Sequence, residues 1–253
     1  MGKPDPAGRE AATPGTRILP PPGEKSAAVR AMFGAIAPRY DLLNHLLSLN
    51  IDRLWRRRAV GLLLGGVREA RGRYLDLCAG TFDFALALAR RRGFAGMVVG
   101  CDFALPMLQR GLPKLRGKPV RPVCGDGLAL PFPDGAFAGA TVGFGVRNLA
   151  DLAGGLRELH RILKPGARLV VLEFTTPRRQ PLRGLYLLYF KRILPLVGRL
   201  VSGHARAYTY LPASVLAFPE QAELAGLMRD AGFTDVSWRS YTGGIVAAHV
   251  GRA

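Results

Sequence analysis

The ten residues Tyr74-Leu75-Asp76-Leu77-Cys78-Ala79-Gly80-Thr81-Phe82-Asp83 constrain this chain more than any other stretch. Tyr74 to Leu77 reads as a short buried strand, Gly80 as a tight turn, and Phe84 to Arg92 as a helix rich in Ala, Leu and Arg. A second apolar run, Met97-Val98-Val99-Gly100-Cys101, ends on Asp102. Strand, glycine turn, helix and a second strand closed by an acid open an α/β sheet with a nucleotide-type cofactor at its edge. Backbone N–H groups at the turn approach a ligand closely, and an acid about twenty residues on accepts hydrogen bonds from ribose hydroxyls. The competing reading is an ordinary glycine turn in an α/β protein.

Charge chooses among cofactors. A dinucleotide fold wants G-x-G-x-x-G to seat a doubly charged pyrophosphate, and this turn instead places Gly80 between Asp76 and Asp83. S-adenosylmethionine fits better, because its sulfonium, ammonium and ribose tolerate neighbouring carboxylates and it has no phosphate to be repelled. Asp76, Gly80 and Asp102 are therefore the expected cofactor residues, and a nicotinamide-dependent oxidoreductase is disfavoured.

With 253 residues, 49% of them hydrophobic, the chain can bury one sizeable α/β core. We expect a disordered tail over 1–25, where Pro4, Pro6, Pro14 and Pro20-Pro21-Pro22 fall and no apolar signal-peptide core occurs. A single domain then covers 26–253, with a helical cap at 26–66 and an amphipathic insertion at 178–215. Cap helices are expected over Ala27 to Ala35, Asp41 to Leu47 and Asp52 to Leu64. Strand and helix then alternate from Tyr74 to Glu173, the pattern of a doubly wound, Rossmann-like parallel sheet. A helix from Pro219 to Ala231 and antiparallel strands Thr234 to Tyr241 and Gly244 to Val250 close the edge.

Cys78, Cys101 and Cys124 form no C-x-x-C pair, which suggests neither disulfides nor a metal site, and points to a reducing cytoplasm. No apolar run reaches the roughly 20 residues that span a bilayer, since Lys191, Arg192, Pro195 and Arg199 interrupt Leu185 to Val201.

The formal charge of +18, from 36 Lys+Arg against 18 Asp+Glu, calls for an anionic neighbour or simply reflects an arginine-rich proteome. Within Pro181 to Val201, Leu182, Leu185, Tyr186, Tyr189, Phe190 and Ile193 recur at helical spacing beside Arg183, Lys191 and Arg192. That combination suits the surface of an anionic membrane, so the protein is expected at its inner face. A helix packed on the core or forming a homodimer is the equal alternative. No base pocket of the Asn-Pro-Pro-Tyr type or appended RNA-binding module supports a nucleic-acid partner.

Several segments carry a family resemblance from about Val29 to the end: Met32-Phe33-Gly34-Ala35-Ile36-Ala37-Pro38-Arg39-Tyr40-Asp41, Leu130-Pro131-Phe132-Pro133-Asp134 and Phe144-Gly145-Val146-Arg147-Asn148. To these add Arg161-Ile162-Leu163-Lys164-Pro165-Gly166, Leu172-Glu173-Phe174, Tyr208-Thr209-Tyr210-Leu211 and Thr242-Gly243-Gly244-Ile245-Val246-Ala247-Ala248-His249. The chain resembles the ubiquinone/menaquinone-biosynthesis C-methyltransferases of the class I S-adenosylmethionine-dependent enzymes. That resemblance implies cofactor contacts at Thr81, at Asp102 on the ribose and at Asp126-Gly127 near the adenine. It departs at Phe82, where the family has glycine and a bulky ring is expected to crowd the cofactor, at Gly143, where a serine is frequent, and at Ala138, where an acid is usual. A relative repurposed away from catalysis is the alternative those departures raise.

The activity implied is carbon methylation of a hydroquinone carrying a polyprenyl tail. The ring carbon becomes nucleophilic when the adjacent hydroxyl, with a pKa near ~10, is deprotonated or its phenolate is stabilised. Arg147 is the leading residue for orienting or stabilising that oxygen, with a structural salt bridge as its other reading. His204 is a second possible base, Asp41 a hydroxyl-binding acid, and Tyr40 and Tyr208 are pocket residues or core packing.

Overall fold

The computed structural model describes residues 18–41, 48–193 and 205–253. A seven-stranded sheet runs through it: β1 (Arg73–Leu77), β2 (Met97–Asp102), β3 (Val120–Cys124), β4 (Phe137–Gly143), β5 (Leu163–Phe174), β6 (Thr234–Tyr241) and β7 (Val246–Arg252). The order across the sheet is β3-β2-β1-β4-β5-β7-β6. The first five strands pair in parallel, and β7 joins β5 and β6 antiparallel. The doubly wound sheet and its antiparallel edge agree with the alternation read in the sequence.

Both faces of the sheet's centre are covered, which is why β1, β2, β4 and the end of β5 are largely apolar on both sides, whereas the edge strands β3 and β6 are mostly exposed. On one face Leu75, Leu77, Ala140, Val142, Leu169 and Val171 meet α5 (Leu152–Ile162) and α8 (Gln221–Asp230) through Leu156, Leu159, Leu224 and Met228. On the other, Tyr74, Val98, Val170 and Leu172 meet α2 (Ile51–Leu64), α3 (Asp83–Ala89) and α4 (Leu105–Gly111) through Trp55, Val60, Leu63, Phe84, Leu88 and Leu108. Each such aliphatic side chain contributes about 1.5–3 kcal/mol on burial. Local signals set the ends: the Asp151 side chain accepts from the Gly154 N–H at 2.9 Å to start α5, and Gly65, at φ +55°, stops α2.

The cap begins earlier than read. Pro22–Glu24 already form a helical turn, α1 runs Lys25–Ile36, and Lys25 Nζ donates to the Leu149 carbonyl at 2.7 Å. Residues 22–25, expected in the tail, are thus tied to the domain, whereas 1–17 of that tail and 42–47 of the second cap helix lie outside the described residues. β5 includes the Leu-Lys-Pro-Gly segment, and its register against β4 shifts between Phe137 and Gly139 before regular pairing from Arg168 onward. The insertion contributes α6 (Leu182–Leu188), continuing as a π-helical segment Tyr189–Ile193, and α7 (Ala205–Leu216).

Candidate active site

From β1 the chain winds outward through β2 to β3, then returns to lay β4 on the other side of β1. The carboxyl ends of β1 and β4 therefore flank a crevice at the topological switch point, where α/β sheets bind ligands. Cys78 (φ 56°), Gly80 (φ 53°) and Phe82 (φ 70°) alternate left-handed backbone through the turn after β1. The turn is held by hydrogen bonds from Ala79 N–H to the Cys101 carbonyl and from Gly80 N–H to Asp102 Oδ2 at 2.8 Å. Asp102 Oδ1 accepts a second bond from Ala104 N–H at 2.8 Å, so two backbone donors fix the carboxylate at the end of β2. Burial raises the Asp102 carboxyl above its ordinary range, and those donors oppose the shift.

Asp102, Asp126 and Gly127 line one cavity with Leu77, Cys78 and Asn148. Two carboxylates and neither Lys nor Arg stand among its lining residues. Such a wall suits a cation with ribose hydroxyls and repels a pyrophosphate. A Cβ on Gly127 would come within 2.9 Å of Leu149, so glycine keeps that wall recessed. The residues present therefore fit S-adenosylmethionine, and the structure brings Asp102, Asp126 and Gly127 together in one cavity.

Asp76 has a different place. It is buried beneath the turn, where Oδ1 accepts from the Thr141 hydroxyl at 2.9 Å and Oδ2 from the Ala85 N–H at 2.9 Å. Strand alternation puts it on the α2–α3 face, and burial pushes its carboxyl up to about 7. It anchors α3 to β1 and β4 and is not among the residues lining the cavity. Gly80 and Thr81 form the turn itself. The Thr81 hydroxyl donates to Asp41 Oδ1 at 2.5 Å, and Lys114 Nζ bridges Asp41 Oδ2 at 2.5 Å and Asp83 Oδ1 at 3.0 Å. The cap is thereby clasped to the cofactor turn. Lys114 carries no sequence signal beyond being one of many basic residues.

The expected crowding by Phe82 does not occur. Its ring is 0% exposed, and Cβ atoms on Gly100 and Gly111 would lie 2.6 and 2.5 Å from it. The ring turns inward into a slot that those two glycines leave open, away from the cavity. Gly143 follows the same logic, since a Cβ there would meet Phe84 at 2.5 Å.

Arg147, in the helical turn Val146–Asn148 after β4, is buried. Its guanidinium donates to Glu173 Oε1 at 2.7 Å, to the Phe144 carbonyl at 2.5 Å and to the Ser214 hydroxyl at 3.3 Å. Both readings of Arg147 are compatible with this geometry, because the salt bridge places it beside the cofactor cavity, next to Asn148. Tyr210 donates to Asn148 Oδ1 at 3.1 Å. Tyr40 packs edge-on against Phe33 at 5.9 Å, on the cap side. His204 and the side chain of Tyr208 lie outside the described residues. Burial pushes Cys101 up to about 12 and raises Cys78 well above the ordinary thiol range, so neither thiol is a nucleophile near neutral pH.

The model of the ubiE/COQ5 methyltransferase family matches residues 22–253. The chain belongs to that family. Its relatives include a demethylmenaquinone methyltransferase of Thermus thermophilus, 51% identical over 87% of this chain and 99% of that protein. Another is the ubiquinone/menaquinone biosynthesis C-methyltransferase UbiE of Geobacter sulfurreducens, 44% identical over 90% of this chain and 89% of that one. Among solved structures, a SAM-dependent methyltransferase of Thermotoga maritima superposes with a TM-score of 0.59 at 22% identity, over 88% of this chain and 98% of that one. A putative methyltransferase of Haloferax volcanii, solved with its Trm112 activator, gives 0.60 at 18%, over 87% and 97%. The protein is a methyltransferase with S-adenosylmethionine as methyl donor.

Glu173, buried and paired with Arg147, is the candidate-site residue to which the sequence assigned no role. One signal was available: a lone acid closing the apolar run Leu169-Val170-Val171-Leu172.

Proposed function

We propose that this enzyme methylates a ring carbon of a hydroquinone bearing a polyprenyl tail, a demethylmenaquinol or a ubiquinone precursor. The observation that carries the reading is the buried Arg147–Glu173 pair, set between the cofactor cavity and an aromatic wall. In that wall Phe144 and Phe174 lie 4.6 Å apart between ring centroids, and Phe174 and Phe190 6.3 Å. A flat, weakly acidic aromatic ring suits such a place. The names of the relatives support the same substrate class.

When bound, S-adenosylmethionine supplies a methyl group on a positively charged sulfur. Asp102 would hold its ribose and Asp126 with Gly127 its adenine end, while Gly80 and Thr81 keep the turn close. Arg147 offers a fixed positive charge to a quinol oxygen as it loses its proton, and in a buried site such a charge is strongly felt. On that side Ile36 of α1 packs with Tyr186, Phe190 and Val215 of the insertion.

The tail cannot leave lipid cheaply, at about 0.8 kcal/mol per buried methylene. The insertion offers a means of reaching it: Leu185 and Leu188 are 62% and 57% exposed beside exposed Arg183 and Arg192. Among the described residues no helix is long and apolar enough to cross a membrane. The enzyme would work docked on an anionic membrane surface, with a second copy on the same helix as the competing use of that face.

The test is an anaerobic assay of methyl transfer from radiolabelled S-adenosylmethionine to short-tailed demethylmenaquinol and to a ubiquinol precursor. Label in either product supports the reading. Tight binding of S-adenosylhomocysteine without transfer to either would remove it.

A further inference from the structure

We infer that Glu173 and Tyr186 form the hydroquinone subsite: Glu173 Oε2 accepts the proton of the ring hydroxyl next to the methylated carbon, and the Tyr186 hydroxyl donates to the same oxygen. The substrate class rests on the function proposed above. The roles of the two residues rest on buried atoms that have no partner.

Glu173 is 1% exposed and stands at the carboxyl end of β5, one strand from the switch point. Its Oε1 accepts from Arg147 and from the Phe174 N–H at 2.9 Å. Oε2 has no hydrogen-bond partner among the described residues, and neither has the Tyr186 hydroxyl. An unmet buried polar group is costly, and a ligand that meets both Glu173 Oε2 and the Tyr186 hydroxyl would relieve that cost. Tyr186 stacks on Phe190 at 4.6 Å and Phe190 packs against Phe174, while the Arg147 guanidinium that holds Glu173 lies 5.9 Å from the Phe174 ring centre and close enough to Tyr186 to act on it, so Glu173 and Tyr186 belong to one aromatic and charged cluster. The missing partner is a planar ligand whose hydroxyl gives a proton to a carboxylate and takes a hydrogen bond from a phenol. A hydroquinone has that pattern.

The groups facing Glu173 come from four elements: Arg147 after β4, Cys78 after β1, Tyr186 on α6 and Tyr210 on α7. Burial raises the Glu173 carboxyl and Arg147 opposes the rise. A carboxylate whose basicity burial has increased is a better match to a phenol than an exposed one. The quinol O–H bond breaks and an O–H bond forms at Glu173 Oε2. The electron pair stays on the quinol oxygen and spreads to the ortho carbon. Protonation also weakens the hold of Glu173 on Arg147, leaving the guanidinium to face the phenolate. Once the carbon is methylated, its C–H proton passes to water and the oxygen recovers its proton from Glu173, so each turnover releases one proton.

The experiment compares wild type, Glu173→Gln and Tyr186→Phe as full chains. Anaerobic titration with a short-tailed 1,4-naphthohydroquinone is followed by quenching of Trp55, whose ring lies 6.3 Å from Phe174. Calorimetry with S-adenosylhomocysteine controls the cofactor site. Glu173→Gln is expected to weaken quinol binding roughly tenfold or more, to lower kcat about 100-fold and to abolish the acid limb of the kcat–pH profile, with S-adenosylhomocysteine affinity unchanged. Tyr186→Phe, which removes a hydroxyl with no internal partner, is expected to keep its thermal stability and to lose about three- to tenfold in quinol affinity. The inference is overturned if Glu173→Gln folds, binds quinol like wild type and keeps its acid limb. It is equally overturned if Tyr186→Phe binds quinol normally and loses stability, because its hydroxyl would then be satisfied within the fold. A wild type that binds S-adenosylhomocysteine and no hydroquinone overturns the substrate reading itself, a result separate from loss confined to the variants.

Discussion

Phe82 stands in left-handed backbone that costs a bulky residue about 1–2 kcal/mol, and the fold tolerates it by burying the whole ring between Gly100 and Gly111. Phe82→Gly relieves the strain and empties the slot. Loss of a buried Phe side chain costs about 3–5 kcal/mol, so denaturant titration should show a net loss of about 1–4 kcal/mol, with no gain in S-adenosylhomocysteine affinity. A glycine variant that kept its stability and bound more tightly would show that the ring crowds the cofactor after all. Asp76 gives a prediction of opposite origin. Its folded-state carboxyl, pushed up to about 7, binds its proton more tightly than the unfolded chain does. Its contribution to stability is therefore full below about pH 4 and is lost as pH rises through about 7. Asp76→Asn can still accept from Ala85 N–H and donate to Thr141, so its stability should vary less than wild type across that window in denaturation at stepped pH. A variant with an unchanged pH slope would mean that Asp76 stays ionised in the fold. The residue type was legible at both positions and the direction of the side chain was not. That direction depends on which face of β1 carries Asp76 and on glycines 18 and 29 residues beyond Phe82.

At the scale of elements, the central strands were legible because each centres on a short apolar run bounded by glycine or an acid, and Asp102 was placed by its position at the end of one. The clasp between cap and turn was not legible, since Asp41, Thr81, Asp83 and Lys114 meet only once the chain has folded over itself. Lys114→Met should test what the clasp does. Lys114 and its partners are each about a fifth to a third exposed, which limits the loss of stability to less than about 1 kcal/mol. Freeing Asp41 from its cation loosens the cap over the turn, so calorimetry should show S-adenosylhomocysteine binding weakened by roughly threefold to tenfold, equivalent to about 0.7–1.4 kcal/mol. Unchanged affinity would make the clasp a matter of packing alone. α6 shows why amphipathic periodicity alone was ambiguous. The apolar residues of α6 and the π-helical segment after it divide between Tyr186 and Phe190, which are buried, and Leu185 and Leu188, which are exposed.

For the whole molecule, the net charge of +18 and the exposed leucines of α6 act together only if something anionic and apolar lies against the protein. Charge alone brings a protein to an acidic surface over about one Debye length and is screened by salt, whereas inserted leucines hold it there. The two contributions separate in sedimentation with vesicles. Wild type should bind vesicles containing phosphatidylglycerol at low salt, bind neutral vesicles weakly, and lose much of its binding at 0.5 M salt, where roughly 4 Å screening lengths apply. Leu185→Ser with Leu188→Ser should retain the salt-sensitive encounter and lose the residual binding that persists at high salt. The same variant in analytical ultracentrifugation discriminates the rival use of this face. If vesicle binding is unchanged and a dimer becomes a monomer, the leucines belong to a second copy. If the mass is unchanged and vesicle binding falls, they belong to the membrane, and the route of the polyprenyl substrate runs beside α6 toward Tyr186 and Glu173.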